Sequence, residues 1–363
     1  MSTAATPMAQ PANSWRGLAR SGMVIGLLLL LLLALAVAAT AIGAAGIPVS
    51  RLPAALGFTV GDTEPSLLAR DHLVLWSVRL PRIALAIMIG ALLAVGGAIM
   101  QGLFRNPLAD PALVGVSSGG ALAAASSIVI GDRLLADGVS IVPFELLPIA
   151  AFIGALVSTS ALYRIATRGD RTSIAVFLLG GLAIAALTNA GIGLLVFLAD
   201  DRQLRDITFW LLGSLGGATW AKVAILVPFV VATLAAIPVI AHGLDLLVLG
   251  ETEAFHMGVE VQRLKRRAIL LVSAMIGAAV AFVGVVGFVG IVVPHLLRLM
   301  IGPGHRLLLP ASACLGAALM LIADTCARTI VAPAEVPIGI LTALVGAPFF
   351  LVVLLRQRTL VGL

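Results

Sequence analysis

Residues 23–45 read MVIGLLLLLLLALAVAATAIGAA without one charged side chain, and comparable runs recur down the chain. Such a run is long enough to cross a bilayer, where the backbone must satisfy its own polar groups as a helix or in a closed barrel. Barrel strands would show apolar alternation in segments of about ten residues. These runs are continuous, so the expected fold class is all-α. Only 11% of the 363 residues are charged and mean hydropathy is +1.15, against roughly 25% charged residues in soluble domains. The expectation is a single polytopic membrane domain over residues 1–363, with room for about ten transmembrane helices of about 20 residues each.

The net charge of +6 comes mostly from arginine. In a membrane chain it marks cytoplasmic loops rather than a nucleic-acid surface. The first run could be read as a signal peptide, but its apolar core exceeds the usual 7–15 residues, so it becomes span 1 with Arg16 and Arg20 inside. The following spans are placed at 83–104, 112–130, 146–165, 173–198, 222–241, 268–286, 288–301, 307–327 and 336–355. This layout leaves both termini in the cytoplasm and puts 47–79 outside as the first external segment, with several charges. A break with two prolines, Arg105–Pro111, follows span 2, because proline removes a helix hydrogen bond and clashes with the preceding turn. The segment 207–215, with Phe209 and Trp210, reads as an amphipathic piece at the interface.

A shift of 187 residues brings Met88-Ile89-Gly90-Ala91 onto Met275-Ile276-Gly277-Ala278, Ala94 onto Ala281, Gly97 onto Gly284, Pro107 onto Pro294 and Gly115 onto Gly302. Spans 2 and 7 run in opposite directions, so the match is that of an inverted repeat, an arrangement used by many transporters.

The polar stretch Asp245–Arg267 interrupts the apolar runs past the middle of the chain. It reads as a short helix (246–255), a break at Gly258 and a second short helix, with Arg263, Lys265, Arg266 and Arg267 on the basic side. Two short helices between spans make a docking surface for a soluble motor. No P-loop is present. The chain has two lysines, Lys222 and Lys265, and neither follows a glycine as G-x-x-x-x-G-K-[ST] demands. ATP would have to be hydrolysed by a separate chain. Gly115-Val116-Ser117-Ser118-Gly119 matches the nucleophile elbow, but that motif needs a sheet, and close helix packing is the ordinary reading. Cys314 and Cys326 suggest packing, not a disulfide framework or metal site. Asp324 is the clearest ionisable group inside a span. An ion-coupled carrier would use such a carboxylate, but Arg328 one turn away favours a structural pair. His295 reads equally as a functional group or as a satisfied polar group at a helix break, and His256 as a surface residue. Arg79, Arg82 and Arg328 concentrate positive charge at the outer ends of spans 2 and 9, where they could snorkel or face the acids of a partner.

Five motifs stand in order: RLPR (79–82), RNPLADP (105–111), LGETEAFHMGV (249–259), GFVGIVVPHLLR (287–298) and PIGILTALVGAPFF (337–350). Together they resemble the FecCD-type permeases, the membrane subunits of type II ABC importers for iron chelates, haem and cobalamin. The resemblance covers nearly everything after residue 70. It implies a ten-helix permease that forms a homodimer in a bacterial inner membrane, with two copies of a cytoplasmic ATPase that hold ATP and Mg and a periplasmic binding protein outside. No cofactor is implied on this chain itself. On this resemblance Leu249, Gly250, Glu251, Ala254, Met257, Gly258 and Val259 form the ATPase-coupling element within residues 245–264. Met257 stands where the family pattern has leucine, a nearly volume-conserving swap. Thr172 and Ser173 match one cytoplasmic gate, and Asn106 and Leu108 a second. Arg79, Arg82 and Arg328 match positions that pair with glutamates of the binding protein. Residues 197–220 look like the haem-importing branch, with siderophore and cobalamin import as alternatives. Thr188, Asn189, Gly191 and Gly193 would give span 5 a small, weakly polar wall. An ion-coupled secondary transporter is the alternative of a different class.

Overall fold

The structure is a computed structural model that describes residues 14–43, 46–58, 64–107, 109–110, 115–135, 146–169 and 171–361. Among the described residues, seven helices are long and apolar enough to cross a membrane: α1 (Ser14–Ala41), the pair α3 (Pro65–Val74) and α4 (Leu80–Leu103) taken as one, α6 (Leu146–Ala166), α7 (Ile174–Leu198), α9 (Trp220–Leu247), α11 (Val261–Val283) and α13 (His305–Ala327). Three helices with shorter apolar stretches, α5 (Val116–Leu135), α12 (Val289–Ile301) and α14 (Ile338–Val361), complete ten. The remaining helices are short: α2 (Leu52–Ala55), α8 (Asp201–Leu212) and α10 (Glu251–His256). A two-residue hairpin, β1 (Thr167–Arg168) and β2 (Arg171–Thr172), joins α6 to α7 and turns at Gly169.

Helix α4 is the centre of the bundle. It packs against α9, α11, α12 and α13, and 78% of its most apolar window is buried, against 6% for α1. Its glycines explain this position. Apolar surface gains little by leaving lipid for protein, so tight association depends on small residues that let backbones meet. A Cβ at Gly90 would overlap the carbonyl of Gly316 on α13, and one at Gly97 would overlap the carbonyl of Gly290 on α12. Gly119 of α5 meets Gly154 and Ser158 of α6 in the same way. The Gly-x-Ser-x-Gly match is therefore part of a helix contact, with Ser117 in the first turn of α5.

Several boundaries differ from the sequence expectation. The helix of span 2, expected from residue 83, reaches back into the expected outer segment: α3 continues into α4 through a π-turn at Leu75–Arg79, where Leu80 N–H donates to the Leu75 carbonyl. Pro81 lies just beyond. A proline cannot donate and crowds the carbonyl four residues back, and one wide turn relieves that clash without ending the helix. The central polar stretch is not two short helices. Helix α9 runs on to Leu247, α10 spans only Glu251–His256, and the basic residues Arg263–Arg267 form the first turns of the long helix α11. The 187-residue register superposes Met88–Ala94 on Met275–Ala281, both mid-helix. Gly97 is inside α4 whereas Gly284 terminates α11, and Pro107 follows a helix whereas Pro294 lies within one. The matched prolines therefore do not occupy equivalent places.

Helices α11 and α12 are separated by an irregular segment, 284–288, that begins at Gly284 (φ 77°) and ends at Phe288 (φ 66°). The non-helical stretch 213–214 and the first turn of α14 close over it. Ser214 N–H donates to the Val283 carbonyl at 2.8 Å, and Ile338 N–H donates to the Gly213 carbonyl at 3.0 Å. A Cβ at Gly213 would press on the carbonyls of Val283 and Val285, and one at Gly339 on that of Leu212. Irregular backbone is tolerated at membrane depth where protein covers it, and here main chain covers main chain. The amphipathic piece at 207–215 is observed as α8. It starts earlier than expected because Asp200 and Gln203 form a reciprocal capping box.

Candidate functional site

Helix α10 is set between two glycines that only a residue without Cβ can replace cheaply. Gly250 has φ 126° and Gly258 φ 89°, and both values lie where L side chains are strained. Ala254 is buried, while Val248, Leu249, Phe255 and Met257 project outward and are more than half exposed. The main chain closes on itself after the helix, with Val259 N–H donating to the Ala254 carbonyl at 2.9 Å. Clustered apolar side chains on a polar connection are the mark of a contact surface.

The first expected gate pair lies beside this element. Ser173 caps α7, its Oγ accepting from Val176 N–H. Thr172 is buried. Its N–H donates to Gln262 Oε1 at 3.2 Å, and its carbonyl accepts from Lys265 Nζ at 3.3 Å. Lys265 Nζ also meets both oxygens of Glu251, at 2.8 and 2.9 Å. A cleft of about 1240 Å³ opens between the hairpin and α10, with Thr172 and Ser173 on one side and Glu251, Thr252 and Phe255 on the other. In the second expected gate, Asn106 is exposed in the turn after α4, its N–H donating to the Gln101 carbonyl. Leu108 lies outside the described residues. The two regions meet through Phe104 and Phe177, whose ring centroids are 5.8 Å apart.

The outer arginines are not free docking cations. Arg79, Arg82 and Arg328 are all buried. Arg79 donates to the carbonyls of Thr40 and Ala41, and Arg328 donates to that of Ala39 at 3.4 Å. The last turn of a helix leaves carbonyls unpaired and partially negative, so two arginines close the end of α1. Arg82 Nε sits 2.8 Å from Asp324 Oδ1, Arg328 Nε sits 3.3 Å from Asp324 Oδ2, and Arg82 Nη1 reaches the half-exposed Glu335 at 2.7 Å. The expected Asp324–Arg328 pair is present, with a second arginine that sequence spacing did not signal. A carboxylate held between two guanidinium groups is poorly placed to load and release an ion. His295 is buried, edge-on to Phe349 with centroids 5.8 Å apart.

The long-range partners of Gln262, Glu335 and Asp245 escaped the sequence reading. Asp245 Oδ1 accepts from His305 N–H at 2.7 Å and lies 2.8 Å from His305 Nδ1, which places an acid at the start of α13. Its position in the polar stretch was a signal, but its partner lies far along the chain.

Known proteins agree with this architecture. The chain matches the FecCD transport family over residues 27–356, including the first span. It is 47% identical over 290 residues to the hemin transport system permease protein HmuU of Yersinia pestis, covering 78% of this chain and 83% of that protein. It is 43% identical over 305 residues to the cobalamin import system permease protein BtuC of Halobacterium salinarum, covering 84% and 77%. Among solved structures it is similar, at 32% identity and a TM-score of 0.79, to an inward-facing ABC transporter of proposed metal-chelate type, covering 92% of this chain and 99% of that one. A bundle of apolar, membrane-spanning helices that matches these proteins over most of its length is an ABC importer permease, and the chain belongs to the FecCD transport family.

Proposed function

We propose that this chain is the permease subunit that carries haem, or a closely related iron chelate, from periplasm to cytoplasm in a bacterial inner membrane. It works as a homodimer with two copies of a cytoplasmic ATPase and one periplasmic binding protein, and both of its termini are cytoplasmic. The observation that carries this reading is α10, a six-residue helix hinged on Gly250 and Gly258 with Leu249, Phe255 and Met257 facing out. Such an element can receive a push from a soluble subunit without disturbing the bundle. ATP closes the motors, α10 follows them, and the segments at Thr172–Ser173 and Asn106–Leu108 rearrange, a switch between two packed states. The higher identity to the hemin permease and the segment 197–220 support haem as cargo. The 43% identity to a cobalamin permease supports cobalamin as the second reading. The binding protein meets the outer face near Arg79, Arg82 and Arg328, where Glu335, held by Arg82, and Ile330 and Val331, just past Arg328 in the chain, are exposed.

The test is reconstitution of the chain with its ATPase and binding protein in vesicles, offered haem, a ferric siderophore or cobalamin. ATP-dependent accumulation of haem in preference to the others is expected. Preference for cobalamin would replace the cargo. Uptake driven by a proton or sodium gradient without the ATPase would overturn the proposal.

A further inference from the structure

We propose that Lys265 is the tie through which the coupling helix moves the gate hairpin. The proposal rests on the reading of α10 as the ATPase-docking element and of Thr172–Ser173 as a gate. Among the basic residues Arg263–Arg267, Lys265 alone is almost fully buried, at 3% exposure. Arg263, by contrast, makes an exposed pair with Glu260. An ammonium has three N–H donors, and Lys265 has an acceptor for each: two oxygens of Glu251 and the carbonyl of Thr172. One acceptor belongs to the gate. The other two belong to the first residue of α10.

The grip on the gate is two-handed. Gln262 and Lys265 are three residues apart and so share a face of α11. One takes the N–H of Thr172 and the other takes its carbonyl. Thr172 is further fixed by Thr167, whose Oγ1 is 3.0 Å from its own. The hairpin and α10 face each other across an open cleft whose lining includes Lys265, so a polar tie spans the gap. An apolar side chain of similar volume would fill the space, and Glu251, 40% exposed, would turn to water, while the Thr172 carbonyl would lose a donor. Such a side chain would not make one position of α10 correspond to one position of Thr172. Lys265 is thus a positioning residue: it touches no substrate and acts through Thr172.

The experiment uses the full complex with its ATPase and binding protein in vesicles, with haem and cobalamin as probes. The variants are Lys265→Met, Lys265→Arg and Glu251→Gln. Spin labels on Arg168→Cys and Thr252→Cys, in a background with Cys314 and Cys326 replaced, report the distance between hairpin and α10. Lys265→Met is expected to hydrolyse ATP at a rate near that of the parent while moving about ten-fold less substrate per ATP. Its label distances should broaden and cease to follow nucleotide. Lys265→Arg should restore both readouts, and Glu251→Gln, which keeps an acceptor without the charge, should fall between. Unchanged substrate per ATP in Lys265→Met would overturn the tie. So would joint loss of ATPase binding and transport in all three variants, which would make Lys265 a folding residue of α10. A parent complex that captures no ATPase and moves neither probe would instead remove the functional reading itself, and the tie with it.

Discussion

Replacing Asp324 tests whether the outer end of the bundle is held by charge or prepared for ion transport. Asp324 is fully buried and shared by Arg82 and Arg328. With charge centres about 4 Å apart and an effective dielectric near 20, each attraction is about 4 kcal/mol. Desolvation of the groups and repulsion between the guanidinium groups offset much of that sum. Removing the common partner of a buried charge cluster costs about 3–5 kcal/mol, a large share of a total stability of roughly 5–15 kcal/mol. Asp324→Leu should lose that amount. Asp324→Asn keeps an acceptor and should lose about 1.5–3 kcal/mol, the worth of a hydrogen bond to a charged group. The double variant Arg82→Leu/Asp324→Leu should be less damaged than the sum of the singles, by about 2 kcal/mol or more, because Glu335 can turn to water. Unfolding in mixed micelles can be followed by tryptophan fluorescence, since Trp220 donates to the Trp76 carbonyl at this end of the molecule. ATP-driven uptake per folded molecule should be unchanged in Asp324→Asn. Additive singles, or uptake abolished in a stably folded Asp324→Asn, would refute the structural account.

A methyl group at Gly97 would overlap the Gly290 carbonyl and lie 2.5 Å from its Cα, so Gly97→Ala should cost about 1–3 kcal/mol. Gly193→Ala, with open space around it, should be neutral or slightly stabilising in the same thermal melt. Phe255→Asp with Met257→Asp should abolish co-purification of the ATPase and leave the melting temperature of the isolated permease unchanged, because both side chains are exposed. Gly258→Val places a β-branched residue at φ 89°, a strain of about 1–3 kcal/mol. ATP hydrolysis should continue while uptake falls, and equal uptake per ATP would count against a hinge at this position.

The spans were legible because each is a local property: a run of apolar residues of sufficient length reads as a helix whatever surrounds it. The element around α10 was only partly legible: the break at Gly258 was read, but the turn at Gly250, which interrupts the expected helix 246–255, was not. Long-range partners were not legible. Arg82 and Asp324 are 242 residues apart, and nothing at Arg82 announces that its charge is spent inside the protein rather than on a partner. Lys265 was hidden for the opposite reason. It sits among arginines that the positive-inside rule already explains, so its burial had no sequence signal. The extension of α3 into α4 was missed because Pro81 argues for a break, and only the π-turn upstream makes continuity possible.

The junction where residues 213–214, 283–288 and 337–339 meet is fastened by amides and carbonyls, with glycines at the closest approaches. Side chains beside it, such as Leu212, Val285 and Ile340, line an adjoining apolar recess and take no part in the fastening. Mutational drift can therefore resurface that recess while the scaffold stays put, provided the glycines are kept.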